Sequence, residues 1–236
     1  MSGAVGGTGR WDLGRRRLYL CTPDRPDLEL FVGRCIAGGV DVVQLRDKHL
    51  DDAGLVRRAT LVQHVCRGEG VPFVLNDRPD LAAAMGADGV HVGQDDGSPG
   101  TARGLVGPDA IVGLSTHGTT ELAAAVGDLP GGSAAPVDYL SAGPVVPTPT
   151  KPGRPGTGTG YLVEAVERSP WPVWVTGGVE PARVAELVAV GVRHFVVVRW
   201  LVDAADPELA ARALRSAIDR SVADAEATPD APDEDA

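Results

Sequence analysis

Groups of polar side chains follow six short apolar runs along the chain, at the points where buried strands would end. They combine carboxylates, cations, amides and hydroxyls, which are the groups that bind phosphorylated ligands and divalent ions. In chain order they are residues 44–48 (Gln-Leu-Arg-Asp-Lys), 76–78 (Asn-Asp-Arg), 94–96 (Gln-Asp-Asp), 115–117 (Ser-Thr-His), then Thr148, Thr150 and Lys151, and finally 176–178 (Thr-Gly-Gly). Each group taken alone also fits an ordinary strand end or helix cap, whereas the whole set favours a binding site.

Two carboxylates in these groups suit a metal ion. Asp77 and Asp96 follow neighbouring runs and could hold a hard divalent ion such as Mg²⁺, which takes few protein ligands and keeps phosphate oxygens as the rest. The alternative is capping, since Asn76 with Asp77 could cap the next helix and one of Asp95 and Asp96 could do only that.

Cations and backbone amides in the same groups suit two phosphorylated ligands. Arg46, Lys48 and Lys151 supply the positive charge that a diphosphate requires. The backbone amides of Gly177 and Gly178, at a predicted helix start, could bind a second, smaller phosphate. The chain has no Cys/His metal spacing, no G-x-S-x-G turn and no Walker loop. The residues therefore indicate a Mg²⁺-dependent enzyme with two phosphorylated ligands.

The elements that position these residues alternate along the chain. Apolar, β-branched runs predict strands, and the stretches between them have helical spacing, which indicates repeated βαβ units and a parallel sheet. Eight such units in about 200 residues predict a (β/α)₈ TIM barrel, with an open doubly wound sheet as the alternative. Against the alternative, no G-x-G-x-x-G follows the first strand. The predicted strands are residues 18–22, 40–46, 72–76, 89–93, 111–116, 137–143, 172–178 and 194–199.

One segment interrupts this alternation. Residues 143–160 contain ten glycines or prolines in eighteen positions, a composition that neither a helix nor a sheet ladder accommodates. A simple connector is one interpretation. A functional loop at the barrel mouth is the other, because long irregular loops are uncommon in compact barrels unless they serve function.

Composition sets the protein class. The net charge of −10 over 236 residues argues against a nucleic-acid or anionic-membrane partner. No run of 18 apolar residues is present to span a membrane. Cys21, Cys35 and Cys66 form no CxxC pair, which favours reduced core thiols in a cytoplasmic protein.

The chain ends differ from its middle. Residues 1–17 are predicted as a flexible leader, residues 18–221 as the barrel domain, and residues 222–236 as a disordered acidic tail with six acids and no base. The sequence leaves monomer and homo-oligomer both open.

Five strings, taken together and in order, resemble the thiamine-phosphate synthase family. The resemblance covers roughly residues 18–220, leaves both ends outside, and depends on the combination of strings. The strings are residues 44–48 (QLRDK), 75–78 (LNDR), 88–96 (DGVHVGQDD), 115–117 (STH) and 143–151 (GPVVPTPTK).

The resemblance implies a reaction and a role for each group. It implies that 4-amino-2-methyl-5-(diphosphooxymethyl)pyrimidine is joined to 4-methyl-5-(2-phosphooxyethyl)thiazole, giving thiamine phosphate and diphosphate through a pyrimidine-stabilised cation. Asp77 and Asp96 would ligate Mg²⁺. The pyrimidine diphosphate would be held by Gln44, Arg46, Lys48, Asn76, Ser115 and Lys151, of which Arg46, Lys48, Ser115 and Lys151 are the expected catalytic residues. The thiazole phosphate would meet Thr148, Thr150, one of Gly177 and Gly178, and the strand end at Val198 and Arg199.

The chain departs from this family in two places. Trp171 and Trp174 stand in strand seven where relatives carry aliphatic residues, and they are expected to pack outward. Arg199 stands where relatives carry a small hydroxyl residue. If its strand face points inward, the guanidinium lies near the thiazole phosphate; the alternative turns it outward, along Trp200 or a helix acid.

Two other functions stay open at this stage. One is a thiazole-tautomerising relative, although such proteins tend to lose the cations and carboxylates present here. The other is a barrel that binds phosphorylated ligands without turnover.

Overall fold

Eight parallel strands form the centre of the computed structural model, which describes residues 11–148, 153 and 155–227. Each strand pairs with its neighbours in chain order, and the first pairs with the last to close a barrel. The predicted TIM barrel is therefore confirmed, with strand ends shortened by up to three residues. The strands are β1 (Leu18–Thr22), β2 (Val42–Leu45), β3 (Phe73–Asn76), β4 (Gly89–Val92), β5 (Ile111–Thr116), β6 (Tyr139–Ala142), β7 (Val173–Val175) and β8 (His194–Val197).

Helices surround the barrel, and local sequence signals set where several of them begin. Asp51 and Ser98 accept hydrogen bonds from backbone amides of the first helical turn, and proline occupies the first position of four helices. The helices are α1 (Leu28–Ala37), α2 (Asp52–Gly68), α3 (Pro79–Met85), α4 (Pro99–Val106), α5 (Thr119–Val126), α6 (Gly158–Arg168), α7 (Pro181–Ala189), α8 (Arg199–Val202) and α9 (Pro207–Ala227).

The period of two along each strand separates two cores. In β2, Val43 and Leu45 belong to the large apolar layer between strands and helices, whereas Val42 faces the barrel interior. Gln44 has the same parity as Val42 and lines the cavity at the barrel mouth. The interior cluster consists of Leu13, Tyr19, Cys21, Val42, Val74, Ile111, Tyr139, Trp174 and Val196.

The segment before β1 is part of the folded barrel, which corrects the predicted boundary at residue 18. Leu13 lies in a short 3₁₀ helix and is buried in the interior cluster. Trp11 donates from Nε1 to Asp88 Oδ1 at 3.2 Å, and the Arg16 guanidinium lies 5.1 Å from the centre of the Trp11 ring. These contacts offset the ordering entropy that the sequence pattern suggested would keep residues 11–17 flexible. Residues 1–10 lie outside the described part of the chain.

The last helix extends past the predicted end of the domain. α9 packs against α1 and α7 and continues to Ala227, so the predicted boundary between residues 221 and 222 is corrected. Leu214, Ile218 and Val222 share one face and are buried, which is the spacing that keeps a helix docked. The acidic residues after Val222 obscured this continuation. Residues 228–236 lie outside the described residues.

The predicted thiol state is confirmed, and no described helix could cross a membrane. All three cysteines are free and buried. Burial raises the pKa of Cys35 to about 12, and burial also raises that of Cys66, so both thiols stay protonated. Among the described helices, none is long and apolar enough to span a bilayer.

Candidate active site

A cavity of about 750 Å³ opens at the carboxyl-terminal ends of the strands. It brings together the predicted site residues from seven strand ends, apart from Thr150 and Lys151, which lie outside the described residues. The predicted residues that line it are Gln44, Arg46, Lys48, Asn76, Asp77, Asp96, Ser115, Thr148, Gly177, Gly178, Val198 and Arg199.

The two predicted metal carboxylates lie side by side in this cavity. The carboxyl groups of Asp77 and Asp96 are close enough to affect each other's ionisation, and Lys48 Nζ lies 3.0 Å from Asp77 Oδ2. The backbone amide of Gly93 donates to Asp96 Oδ2 at 2.9 Å and fixes that carboxylate. Burial raises the pKa of Asp77, the neighbouring Asp96 carboxyl group raises it further, and Lys48 opposes both.

The backbone of Asp77 is held in an unusual conformation. Its φ of 62° lies in the left-handed region, where among the described residues every other positive value belongs to glycine. The Asp77 amide donates to the carbonyl of His91 at 2.8 Å, so the ladder between β3 and β4 extends one residue past β3. Strain of this kind concentrates at functional sites, and here it places the carboxylate beside Asp96.

The donor set fits a magnesium ion. Two adjacent carboxylates are the usual protein contribution to a Mg²⁺ site, with phosphate oxygens and water completing the octahedron. Within the described ranges, no group of three or more His, Cys, Asp and Glu side chains is placed to hold a metal. The site therefore lacks the soft-ligand cluster that zinc prefers.

Cationic side chains stand at the mouth near these carboxylates. Arg46 follows β2, and its amide donates to the Thr22 carbonyl at 2.8 Å, continuing the ladder with β1. In the part of the chain that the structure describes, neither Arg46 nor Arg199 forms a salt bridge. Both also line a second cavity of about 210 Å³ beside the first. Two guanidinium groups without carboxylate partners suit an anionic ligand.

The floor of the cavity is a continuous hydrogen-bonded chain of buried polar side chains. Cys21 Sγ donates to Gln44 Oε1 at 3.0 Å, and Gln44 Nε2 donates to the Tyr19 hydroxyl at 3.0 Å. The Tyr19 and Tyr139 hydroxyls lie 3.0 Å apart. The chain, called the floor network below, consists of Cys21, Gln44, Tyr19, Tyr139, His91 and Ser115.

His91 connects this chain to Ser115. Its Nδ1 lies 2.9 Å from the Tyr139 hydroxyl, and its Nε2 lies 2.9 Å from Ser115 Oγ. The His91 and Tyr139 rings stack with an interplanar angle of 22°. Gly113 makes room for this arrangement, because a Cβ there would approach the Tyr139 ring to 2.1 Å.

The tryptophan of β7 lies inside the barrel, which corrects the expectation that it packs outward. Trp174 is fully buried in the interior cluster, and its ring centre lies 5.3 Å from that of Tyr19 in an edge-on contact. Trp171, by contrast, packs on the outer apolar layer as expected. Trp174 has inward parity with Thr176, a pattern visible only once the register of β7 is known.

The two glycines after β7 are required by the loop that follows β6. Gly177 has a φ of 97°, and a Cβ there would meet Pro144 at 2.6 Å. The predicted helix start is corrected, because α7 begins at Pro181, after both glycines. Both glycines therefore belong to the loop that lines the cavity, as Thr148 also does, and not to the first helical turn.

Arg199 reaches the mouth by a different route from the one predicted. β8 ends at Val197, which faces the outer layer, so strand alternation alone would have turned Arg199 outward. The chain instead enters α8 at Arg199, where the exposed side chain lines both cavities. Val198 packs on the interior cluster.

His117 and Glu121 form a pair at the rim that the sequence did not assign. Both the His117 amide and its Nδ1 bond Glu121 Oε2, at 2.7 and 2.8 Å. The His117 side chain is 12% exposed and lines the cavity. A carboxylate on Nδ1 fixes the ring orientation, as in catalytic and metal-binding histidines.

Other cavity residues were also missed. Tyr19, Cys21, His91, Tyr139 and Ser141 line the cavity, and each has the inward parity of its strand. The period of two along each strand groups these residues on one face. The period alone does not show which face points into the barrel when both faces are apolar.

Comparisons with known proteins agree on one family. The model of the family described as thiamine monophosphate synthase matches residues 18–201. Thiamine-phosphate synthase from Thermus thermophilus is 44% identical over 207 residues, covering 84% of this chain and 95% of that protein. The enzyme of the same name from a Mycobacterium strain is 40% identical over 221 residues, covering 87% and 94%.

A solved structure gives the same result. Thiamine phosphate pyrophosphorylase from Pyrococcus furiosus superposes with a TM-score of 0.76 at 27% identity, covering 87% of this chain and 96% of that chain. Family model, relatives and fold agree with the residues gathered at the barrel mouth, and the chain belongs to the thiamine monophosphate synthase family.

Proposed function

We propose that this protein is a Mg²⁺-dependent thiamine-phosphate synthase, a transferase of thiamine biosynthesis. It would join the diphosphooxymethyl-pyrimidine to the phosphooxyethyl-thiazole and release diphosphate. The observation that carries the proposal is the adjacent pair Asp77 and Asp96, next to Lys48 and Arg46 in one cavity. Oxygen ligands surrounded by cations suit a metal-bound diphosphate.

The pyrimidine diphosphate fits the half of the cavity formed by β2 to β5. The aminopyrimidine ring would lie on the polar floor, where Gln44 and Ser115 offer hydrogen-bonding groups. The diphosphate would lie above it, between the carboxylates and the cations Arg46 and Lys48. Asn76 is buried at the end of β3 and adds an amide donor to this subsite. Lys151 belongs to it by family resemblance.

The reaction breaks the carbon–oxygen bond between the pyrimidine methylene and the diphosphate. The bonding electron pair leaves with the diphosphate, the methylene carbon becomes cationic, and the thiazole nitrogen donates its lone pair to that carbon. Arg46 and Lys48 stabilise the negative charge that develops on the departing oxygen, which is commonly the largest catalytic contribution. Mg²⁺ held by Asp77 and Asp96 would supply further positive charge to the same oxygens. The buried floor shields the cation from water.

The thiazole phosphate fits the other half of the cavity. Thr148, the loop amides of Gly177 and Gly178, and the strand end at Val198 and Arg199 line this side. The Thr148 hydroxyl and the glycine amides are neutral donors, so Arg199 would supply the positive charge of this subsite. Thr150 belongs to it by family resemblance.

The protein's free thiols fit a reducing compartment, and we place the reaction in the cytoplasm.

The test of the proposal is incubation of the purified protein with both phosphorylated halves and Mg²⁺, followed by chromatography. Formation of thiamine phosphate and diphosphate supports the synthase. Conversion of a thiazole tautomer without coupling would identify the tautomerase alternative, and binding without turnover would identify a ligand-binding barrel.

A further inference from the structure

The hydrogen bonds of the floor network depend on one another, because each side chain in it has few hydrogens to donate. Burial is the main reason that the pKa of Tyr19 and that of Tyr139 are raised far above the ordinary phenol value. Both phenols are therefore neutral, and each has one hydrogen to donate. In a chain of such groups, the direction of one hydrogen bond determines the direction of the next.

Gln44 sets the direction at one end. Its Nε2 can only donate, so the Tyr19 hydroxyl accepts from Gln44 and gives its own hydrogen to Tyr139. The Cys21 thiol donates to Gln44 Oε1, which holds the amide in this orientation. The reverse amide orientation would set Nε2 against Cys21 Sγ, a weak acceptor, and would reverse the whole network.

The direction continues through the histidine. Tyr139 accepts from Tyr19, so its hydrogen goes to His91 Nδ1. A neutral imidazole that accepts at Nδ1 carries its hydrogen on Nε2, and His91 Nε2 therefore donates to Ser115 Oγ. The hydrogen of the Ser115 hydroxyl then has no acceptor left within the network, and Ser115 lines the cavity.

We propose that the floor network holds the Ser115 hydroxyl as a hydrogen-bond donor to an acceptor atom of the substrate, with Tyr19, Tyr139 and His91 as positioning residues. The inference rests on the proposed function, which supplies the acceptor: a ring nitrogen lone pair of the aminopyrimidine or an oxygen of the diphosphate. A ligand that presents N–H at this point would place donor against donor. The network therefore selects for substrates with a lone pair opposite Ser115.

The tautomer of His91 tests the direction without any assay of activity. ¹⁵N NMR of the ligand-free protein distinguishes an imidazole protonated at Nε2 from one protonated at Nδ1. We expect the Nε2–H tautomer. The Nδ1–H tautomer would mean that Ser115 donates to His91 and accepts from the ligand, which would overturn the inference.

A double-mutant cycle tests the positioning role. Tyr139→Phe removes the hydrogen given to His91 Nδ1, and it should lower kcat about three- to tenfold and mix the His91 tautomers. In a Ser115→Ala background, Tyr139→Phe should have no further effect on kcat, because Tyr139 acts through Ser115. If the double variant loses kcat by the product of the two single-variant factors, the two residues act independently and the positioning role is wrong. Should Tyr139→Phe fail to fold, Tyr19→Phe serves the same cycle.

A matched control is available in the same chain. Tyr161 on α6 is a buried tyrosine outside the cavity lining, and Tyr161→Phe should leave kcat and the His91 tautomer unchanged. The proposed function and the network can fail separately. If no thiamine phosphate forms, the synthase proposal fails, while the His91 tautomer still decides the direction of the network.

Discussion

The ammonium group of Lys48 lies 3.0 Å from Asp77 Oδ2, so one of the two carboxylates proposed to hold Mg²⁺ is neutralised by a side chain proposed to hold diphosphate. The Lys48 side chain is 53% exposed and can swing to a ligand at small cost. Under the proposed function the pair would couple metal binding to diphosphate binding, because a metal ion on Asp77 would release the Lys48 ammonium group for the substrate.

Lys48→Gln should have opposite effects on metal binding and on catalysis. Without the competing ammonium, the affinity for Mg²⁺ in the absence of substrates should rise about threefold, since exposed ion pairs are weak. The same variant should lose about 100-fold in kcat/KM for the pyrimidine diphosphate, because a cation at the leaving group is lost. Titration calorimetry and steady-state kinetics measure the two effects. Weaker metal binding in Lys48→Gln would contradict the coupling.

Arg199→Ser replaces the guanidinium with a small hydroxyl group. We expect the KM for the thiazole phosphate to rise about tenfold, the worth of a charge-assisted hydrogen bond, with the KM for the pyrimidine diphosphate little changed. Arg220→Ser on the outer face of α9 is the matched control and should change neither. An unchanged thiazole KM would show that Arg199 makes no substrate contact, and a raised pyrimidine KM would assign it to the diphosphate beside Arg46.

His194 should make the fold sensitive to acid. It lies at the start of β8, with its ring centre 5.0 Å from that of Trp174 and its Nδ1 2.6 Å from the Arg16 carbonyl. Burial lowers its pKa from an ordinary value of 6.5 to about 4. Between these values the unfolded chain binds a proton that the folded chain does not, so the free energy of unfolding falls as pH falls.

The expected size of this effect is about 2 to 3 kcal/mol between roughly pH 7 and pH 4.5, with the full stability retained above the unfolded pKa. Urea unfolding at both pH values measures the free energy of unfolding. The decrease in this free energy from roughly pH 7 to pH 4.5 should be smaller in His194→Gln than in the parent protein by that amount. His64→Gln, an exposed position on α2, is the control and should keep the parent's pH dependence. An identical pH dependence in His194→Gln would exclude His194 as the cause.

The end of α9 should contribute to stability up to Ala227. Deletion of residues 228–236 should leave the melting temperature unchanged, whereas deletion of residues 222–236 removes the buried Val222 and should cost about 2 kcal/mol, or about 6 °C. Differential scanning calorimetry compares the two truncations. Equal melting temperatures would mean that the last turns of α9 do not dock on α1 and α7.

Two patterns in the sequence predicted most of the fold and of the site. These are the period of two along each strand and the polar residues at the strand ends. β1 and β5 match their predicted limits at both ends, and the carboxylates Asp77 and Asp96 meet because β3 and β4 are neighbours in a parallel sheet. Parallel barrels make this inference strong, since consecutive strands pair and every strand presents the same end to the site.

Features that depend on contacts between distant parts of the chain could not be predicted from the sequence. Trp174 lies in the interior because the parity of β7 turns its side chain inward, and this parity does not show in composition. Arg199 reaches the mouth because β8 stops at Val197 and a helix begins, so alternation no longer applies. The pairing of His91 with Tyr139 joins residues 48 positions apart, a distance over which a single sequence carries no signal.

Metal-dependent formation of thiamine phosphate by Asp77 and Asp96 variants tests the central claim most directly. With both phosphorylated halves and saturating Mg²⁺, Asp77→Ala and Asp96→Ala should each lose about 100-fold or more in turnover while remaining folded, as a cooperative melting transition would show. Asp95→Ala, at an exposed neighbouring position, should retain near-parent turnover. Near-parent turnover of either Asp77→Ala or Asp96→Ala, at saturating or at limiting Mg²⁺, would contradict the account and leave that carboxylate a structural group.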